Sequence, residues 1–403
     1  MGKYRRREFL KRGLAGMFGA AAIPRTWRAT LRETQGKGTA PSLPARSLGR
    51  TGIQTPLISM GTSEASSADL IRMGYDSGIK LFFSATYYGR GNNERLVGEA
   101  MRGRPRDSFI VGTAATPEGL DPRSGTIPKN TTAQAYMKTA EESLKRFGFD
   151  HLDILLLPFA GKREFIIFDP ILEAMAELKK QGKIRFAGIA THGSCEEALR
   201  AAADAKIYDV AMTSYNFRTE NKDAMNEALA YAAKAGMGIV AMKTTAGAAR
   251  DKDRSRPLNT FAALKWVLQN THISSIVSGM SKVEELQKNL EMIKDLKLSD
   301  QELRDLNLAN LGAEPGLYCR QCRRCLPQCP ANLDIPTLMR SYMYAYGYRN
   351  VRQARSTLES VAISGRSCSQ CEVCSVTCAS GFDVKDRVQN IVRLKDVPPE
   401  FLS

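Results

Sequence analysis

The sequence has no run of about 18 consecutive apolar residues, although 43% of its 403 residues are hydrophobic. A helix needs about 20 apolar residues to cross a bilayer, so we expect no stable membrane span in the mature chain. The chain also lacks a basic stripe interleaved with stacking aromatics. Of the net charge of +16, residues 1 to 46 contribute +9, and the remaining +7 is spread along the chain. We therefore expect no nucleic-acid partner.

Cysteine is nearly absent outside one stretch. Eight of the nine cysteines lie between Cys319 and Cys378, and only Cys195 stands apart. In "CRQCRRCLPQCP" and "CSQCEVCSVTC", two residues separate each of the first three cysteines, and three residues precede the fourth. Disulfide frameworks lack this regularity, and structural zinc usually takes two separated pairs. The spacing predicts [4Fe–4S] clusters, although Ala379 replaces the proline found at Pro330.

Two complete cysteine runs predict two [4Fe–4S] clusters as cofactors. In two-cluster ferredoxins the fourth cysteine of each run ligates the other cluster. We therefore assign one cluster to Cys319, Cys322, Cys325 and Cys378, and the second to Cys368, Cys371, Cys374 and Cys329. The long helix-like segment between the runs resembles helical ferredoxin modules. Residues 313–403 are thus predicted to form a small, mainly helical ferredoxin-like domain, whose helices are packed and whose clusters are covered by Tyr342, Tyr344, Tyr346 and Tyr348.

The N-terminal residues have features of an export signal. Arg6-Arg7, followed by Phe9-Leu10-Lys11 and the weakly apolar "GLAGMFGAAAI", resembles a twin-arginine export signal. The alternative is a disordered basic tail. The resemblance predicts a signal peptide over 1–30, a polar linker over 31–45, and a periplasmic protein that is exported after folding and cluster assembly.

Residues 46–312 alternate between short apolar runs and segments with helical spacing. The strand-like runs are 57–61, 79–84, 108–113, 152–157, 184–190, 208–213, 238–243 and 273–279. Eight such units in about 260 residues have the count and size of an α/β fold, the (β/α)8 or TIM barrel.

The barrel segment is similar to aldo-keto reductases. The similarity is carried by "SLGRTGIQTPLISMGT", "GIKLFFSATYYGRGNNERLVGEAM", "DHLDILLLP", "GKIRFAGIA", "YDVAMTSYN", "GIVAMKTTAG" and "ALKWVLQNTHISSIVSGMSKVEELQKN". This resemblance implies that a tyrosine protonates a carbonyl while a nicotinamide delivers hydride. It also implies a lysine, an aspartate and a histidine that support the tyrosine.

Only the tyrosine of that set matches, as Tyr88. The aspartate, lysine and histidine positions hold Phe83, Ala114 and Pro158, none of which can ionise. The family positions that hold nicotinamide read Ala190-Thr191 and Met212, and Glu285 lies where a cation often binds phosphate. NAD(P) is therefore a doubtful cofactor, and standard aldo-keto reductase catalysis is not expected.

Other polar residues follow the predicted strands at the catalytic face. They are Tyr87, Lys162, His192, Tyr215 and Lys243. The leading hypothesis is an exported iron–sulfur oxidoreductase whose degenerate barrel binds a small-molecule substrate, a cofactor or a redox partner protein. One alternative is an NAD(P)-dependent aldo-keto reductase with rewired catalytic residues. Another is a non-catalytic binding or scaffold protein with relay clusters.

Overall fold

A short antiparallel hairpin precedes the barrel. The computed structural model describes residues 42–65, 67–121, 125–247, 258–311, 316–361, 363, 368 and 371–402. The predicted signal peptide and the linker up to residue 41 lie outside these ranges. Strand β1 (Ala45–Ser47) pairs with β2 (Gln54–Pro56). After β1, the fully buried Leu48 side chain plugs the N-terminal end of the barrel. Each strand has only three residues, too few for the apolar pattern to predict.

Eight parallel strands close into a barrel, as the sequence predicted. They are β3 (Ile58–Gly61), β4 (Leu81–Ala85), β5 (Ile110–Ala114), β6 (Leu152–Leu157), β7 (Ile184–Thr191), β8 (Val210–Ser214), β9 (Gly238–Met242) and β10 (Ser275–Gly279). They pair in chain order, and β10 pairs with β3 to close the sheet. Their apolar, β-branched residues suit strands that are buried on both faces.

Helices surround this barrel and pack their apolar sides against it. They are α1 (Ala68–Asp76), α2 (Asn92–Met101), α3 (Ala133–Phe147), α4 (Arg163–Ile166), α5 (Asp169–Lys180), α6 (Cys195–Ala205), α7 (Lys222–Lys234), α8 (Thr260–Leu268), α9 (Val283–Met292) and α10 (Asp300–Leu311). Side chains just ahead of some of these helices cap their first turns. Ahead of α3, for example, the Thr132 hydroxyl accepts a hydrogen bond from the Ala135 N–H at 3.2 Å, because the first amides of a helix lack intrahelical partners.

The C-terminal region is helical and has its own core. It contains α11 (Ile335–Tyr342), a π-helical turn (Met343–Gly347), α12 (Val351–Glu359) and α13 (Val384–Val392). Buried side chains from all three helices meet in one cluster. This agrees with the predicted mainly helical module.

The helical region lies against the C-terminal ends of the barrel strands, within one compact unit, Leu43–Ser403. The approach is close at two glycines. A Cβ on Gly347 would lie 2.5 Å from the Gly247 carbonyl oxygen, and one on Gly193 would lie 2.8 Å from the Gln321 carbonyl oxygen. Among the residues described, no helix is both long and apolar enough to span a bilayer.

Candidate functional site

A cavity of about 770 Å³ lies between the barrel mouth and the helical region. The barrel contributes its floor, and the helical region contributes part of its wall through Arg340, Tyr344 and Tyr348. This volume falls within the range of small-molecule sites. Residues of both domains therefore line the cavity at the C-terminal face of the barrel.

The floor of the cavity is apolar. It consists of Phe83, Ala114, Leu156, Ala190, Met212 and Met242. Phe83 pairs across strands with Gly112, and its ring fills the space that a side chain there would need, since a Cβ on Gly112 would lie 2.4 Å from it. Pro158 directly follows β6. The positions that would hold the family's aspartate and lysine thus form hydrophobic surface.

Ser84 also lines the cavity, but its hydroxyl is engaged in a hydrogen-bond network. Its hydroxyl donates to the Asn93 side-chain oxygen at 2.7 Å. The Asn93 amide donates to the Thr62 carbonyl at 2.6 Å, and the Thr62 hydroxyl donates to the Phe83 carbonyl at 2.9 Å. This buried network ties β3, β4 and α2 together, so Ser84 has a structural role.

Tyr88 lines the cavity beside Tyr87, with their ring centroids 5.0 Å apart. Burial and, after it, the charge of Tyr344 raise the pKa of Tyr88 to about 12, although the cations Lys243 and Arg340 oppose the shift. The phenol is therefore neutral at physiological pH and is able to donate a hydrogen bond. The aldo-keto reductase mechanism depends on the opposite shift.

Lys243 extends from the end of β9 with a left-handed φ of 56°. The Asn216 amide holds this conformation by donating to the Lys243 carbonyl at 3.0 Å. The Lys243 ammonium donates to the Tyr344 hydroxyl at 3.1 Å and lies 4.9 Å from the centre of that ring. Burial opposes its charge, but the nearby tyrosines outweigh burial and raise the pKa of Lys243. The cavity therefore contains a permanent cation.

The pKa values of His192 and Glu64, which also line the cavity, are shifted as well. Burial lowers the pKa of His192 well below its usual value, and Lys243 and Arg340 lower it further. The imidazole is thus neutral, with Nδ1 3.4 Å from the Ser214 hydroxyl. Burial raises the pKa of Glu64, against the opposing charge of Lys243.

The structure brings together only some of the candidates from the sequence. Tyr87, Tyr88, His192 and Lys243 line the cavity, whereas Lys162 and Tyr215 do not. Lys162 precedes helix α4. The Tyr215 hydroxyl donates to the Asn226 side chain at 2.7 Å and belongs to the packing of the outer helices.

Three further cavity residues were missed: Glu64, Arg340 and Tyr344. Tyr344 was expected only to pack helices and cover clusters, but it also contacts the barrel lysine. Arg340 lies on the same face of the helical segment, four residues earlier. The i, i+4 spacing indicates that Arg340 and Tyr344 lie on one face of a helix, but the sequence could not show that this face meets the barrel.

The residues at the family's nicotinamide positions fit that cofactor poorly. The Thr191 hydroxyl already donates to the Gly193 carbonyl at 2.9 Å. At the start of α9, the Glu285 carboxylate accepts from the Ser281 N–H at 2.7 Å and from its hydroxyl at 3.0 Å. A helix N-terminus is where phosphate would bind, and here a carboxylate takes its donors. We derive no step through a nicotinamide.

The cysteines form two groups. Cys329, Cys368, Cys371 and Cys374 line one small cavity of about 30 Å³. Burial raises the pKa of Cys319, and the charges of Cys325, Cys378 and Cys322 also raise it. These four thiols therefore lie near one another. The assignment of these eight cysteines to two clusters stays a prediction.

The two groups of cysteines supply the donors that [4Fe–4S] clusters use. Within the described ranges, no three His, Cys, Asp or Glu side chains form a ready metal-binding group. The donor chemistry nevertheless fits, because four thiols per set are what a [4Fe–4S] cluster requires. Backbone amides already face the sulfurs: Gln321 N–H donates to Cys319 Sγ at 3.4 Å, and Ser380 N–H to Cys378 Sγ at 3.3 Å.

Polar contacts join this cysteine-bearing domain to the barrel. Tyr318 precedes Cys319 and hydrogen-bonds to Ser214, the neighbour of His192. Tyr348 hydrogen-bonds to Thr245. Tyr318, directly before the first cysteine of one predicted cluster, is thus connected to His192 in the cavity wall through two hydrogen bonds of Ser214.

Comparison with known families supports both halves of this architecture. The model of the aldo/keto reductase family matches residues 49–262. The model of a 4Fe-4S dicluster domain matches residues 318–383. The first match spans more than half of the chain.

Individual relatives resemble the barrel portion. The chain is 26% identical to L-galactose dehydrogenase from Arabidopsis thaliana, over 62% of this chain and 88% of that protein. It is 23% identical to D-threo-aldose 1-dehydrogenase from Pseudomonas sp, over 62% of this chain and 89% of the relative. The holo form of aldo-keto reductase AKR11C1 from Bacillus halodurans has the same fold, with a TM-score of 0.55 and 20% identity over 70% of this chain and 100% of that one.

The closed parallel barrel, the shared cavity and the grouped cysteines agree with these matches. The chain therefore belongs to the aldo/keto reductase family and carries a 4Fe-4S dicluster domain at its C-terminal end.

Proposed function

We propose that the protein is an exported iron–sulfur oxidoreductase that exchanges single electrons with a substrate in the cavity between its two domains. Family membership and the dicluster domain support the oxidoreductase class. The observation that carries the proposal is the shared cavity, because the cysteine-bearing domain itself supplies Arg340 and Tyr344 to the catalytic face of the barrel.

The proposed clusters use the two cysteine sets. Cys319, Cys322, Cys325 and Cys378 would hold one cluster, and Cys368, Cys371, Cys374 and Cys329 the second. Bound clusters supply one-electron transfer. Amide donors to Cys319 and Cys378 would stabilise sulfur charge, and the helical core excludes water from one side.

The barrel residues orient the substrate and hold protons. Lys243 retains its charge, His192 is a neutral donor or acceptor, and Tyr88 is a neutral phenol. The pKa of Glu64 is raised, so its carboxyl can exchange a proton nearer neutrality than an exposed glutamate can. Protons could thus reach a reduced substrate without a nicotinamide.

A second candidate is a nicotinamide-dependent reductase with relocated acid–base residues. It is favoured by one observation: the charge of Lys243 lowers the pKa of Tyr88, as the family's lysine does from another strand. The relatives' names, L-galactose dehydrogenase and D-threo-aldose 1-dehydrogenase, would then suggest a sugar substrate. The strong opposing effect of burial on Tyr88 makes this the weaker candidate.

Cluster content and reduction distinguish the candidates. Anaerobically purified protein should contain about eight irons per chain, and dithionite should reduce its clusters while NADPH should not. Reduction is followed by absorbance and by electron paramagnetic resonance. As a control, Cys195→Ser should retain the full iron content, because this buried thiol lies outside both sets. Four irons or stoichiometric zinc would refute the two-cluster assignment, and rapid reduction by NADPH would establish the second candidate.

A further inference from the structure

We propose that the shared cavity binds an organic carboxylate, with an apolar, ring-sized body on the barrel floor and the carboxylate between Lys243 and Arg340. This inference deepens the proposed function, on which it rests for the identity of the substrate site. It names the class of substrate.

Among the described residues, the side chains of Lys243 and Arg340 hydrogen-bond to hydroxyl groups. Lys243 donates to the Tyr344 hydroxyl at 3.1 Å, and Arg340 donates to the Thr337 hydroxyl at 3.4 Å. Neither forms an ion pair with a carboxylate in the described part of the chain. Lysine has three N–H donors and arginine five, so most of their donors are available to a ligand. Both residues are half-buried, and an anion placed between them would be attracted more strongly than in open water.

The acids of the cavity are held by other groups. The Glu285 carboxylate accepts two hydrogen bonds from Ser281. Asp334 accepts from the Thr337 N–H at 3.3 Å as the cap of α11. Burial raises the pKa of Glu64, which weakens its negative charge. These carboxyl groups therefore leave the two cations available.

Lys288 and Asp121 complete the charged lining of the cavity. The charge of Asp121 acts on Arg323 of the dicluster domain. Lys243 and Arg340 differ from these groups because both act on the same two neighbours, Tyr88 and His192. The two cations and the two neutral polar rings thus surround one region.

The rest of the cavity selects the body of the ligand. Phe83, Leu156 and Met242 offer apolar contact below the cations, and the Tyr87 ring lies beside it at the rim. Arg340 itself lies 6.0 Å from the centre of the Phe159 ring, which packs 5.3 Å from Tyr87. An aromatic or alicyclic ring fits this surface.

A single negative charge suits the site better than a phosphate. The cations of this lining are Lys243, Lys288 and Arg340, but four carboxyl groups, Glu64, Asp121, Glu285 and Asp334, lie in it as well. A dianion would experience their repulsion more strongly than a monoanion. We therefore expect benzoate to bind more tightly than phenyl phosphate.

Calorimetric titration of the oxidised, cluster-loaded protein tests the inference. The probes are benzoate, cyclohexanecarboxylate, phenyl phosphate and the neutral benzamide. Benzoate or cyclohexanecarboxylate should bind at least tenfold more tightly than benzamide, and Arg340→Gln and Lys243→Gln should each weaken binding by about tenfold or more. Arg340→Lys should retain part of the affinity, because it preserves the charge. Lys180→Gln, which removes an exposed cation on α5, should change nothing.

Each contrary result overturns the inference. These are equal binding of benzoate and benzamide, tighter binding of phenyl phosphate, unchanged affinity in both charge-removing variants, or no binding of either ring carboxylate. Cluster absorbance and the melting temperature verify that each variant is folded. If the clusters reduce normally but no carboxylate binds, the proposed electron transfer stands and only the substrate class fails.

Discussion

Phe83 changes what the floor of this barrel can do. Its ring lies over Gly112 and is 3% exposed, in a position where the family resemblance implies an aspartate. An ionised carboxylate there would be buried without a cationic partner, because the family's lysine position holds Ala114. The floor therefore contributes shape and apolar contact, and the charged groups lie above it.

At the residue scale we predict that Phe83→Asp does not restore family chemistry but destabilises the protein. The lost packing costs about 3–5 kcal/mol, and burial of an unpaired carboxylate adds to it. Phe83→Leu should cost about 1–2 kcal/mol, because it leaves the site apolar. Chemical denaturation monitored by circular dichroism measures both. Equal stability of the Asp variant and the wild type would mean that the site is open to water.

Single residues were predictable where a family motif, as for Tyr88, or the end of a predicted strand, as for His192 and Lys243, fixed their place. Tyr88, His192 and Lys243 follow barrel strands, and they do line the cavity. Tyr344 and Arg340 could not be found in this way, because their role depends on how a second domain docks. Glu64 was missed because a glutamate after a strand is an ordinary surface residue until a neighbouring domain buries it.

At the scale of elements, the π-helical turn Met343–Gly347 positions the wall of the cavity. It lies between α11 and α12 and carries Tyr344. Gly347 ends the turn against the barrel loop that contains Gly247. The turn can approach this closely because neither residue has a side chain.

Gly347→Ala should separate the two domains locally. Its Cβ would lie 2.5 Å from the Gly247 carbonyl oxygen, and backbone on both sides must move to relieve that contact. We expect faster amide hydrogen exchange in the loop after β9 and at least tenfold weaker benzoate binding if that site is as proposed. Arg352→Ala, on the exposed surface of α12, is the matched control. Unchanged exchange in the Gly347 variant would show that the interface adapts without opening.

The eight barrel strands were predictable because each apolar run is bounded by polar helices and turns. The hairpin β1–β2 was not, since three residues carry too little pattern. The helical character of the C-terminal domain also followed from the sequence. Its docking did not, because the contacts that create it, such as Lys243 with Tyr344, join residues far apart in the chain.

At the scale of the whole molecule, the proposed export route constrains when the site can form. Twin-arginine export carries folded proteins, and the motivating residues Arg6 and Arg7 lie outside the described ranges. We predict that changing both to lysine retains cluster-loaded protein in the cytoplasm. Cell fractionation with iron analysis of each fraction measures this. Arg5→Lys serves as the control, and unchanged periplasmic yield of the double variant would remove the targeting proposal.

The contact between Lys243 and Tyr344 also has a consequence for synthesis. The two residues are 101 positions apart, so the ribosome adds Lys243 to the growing chain well before it adds Tyr344. A nascent barrel has its strands but not the wall that completes its mouth. A chain that ends before the dicluster domain lacks Arg340, Tyr344 and Tyr348, and it therefore cannot form the complete wall of the cavity.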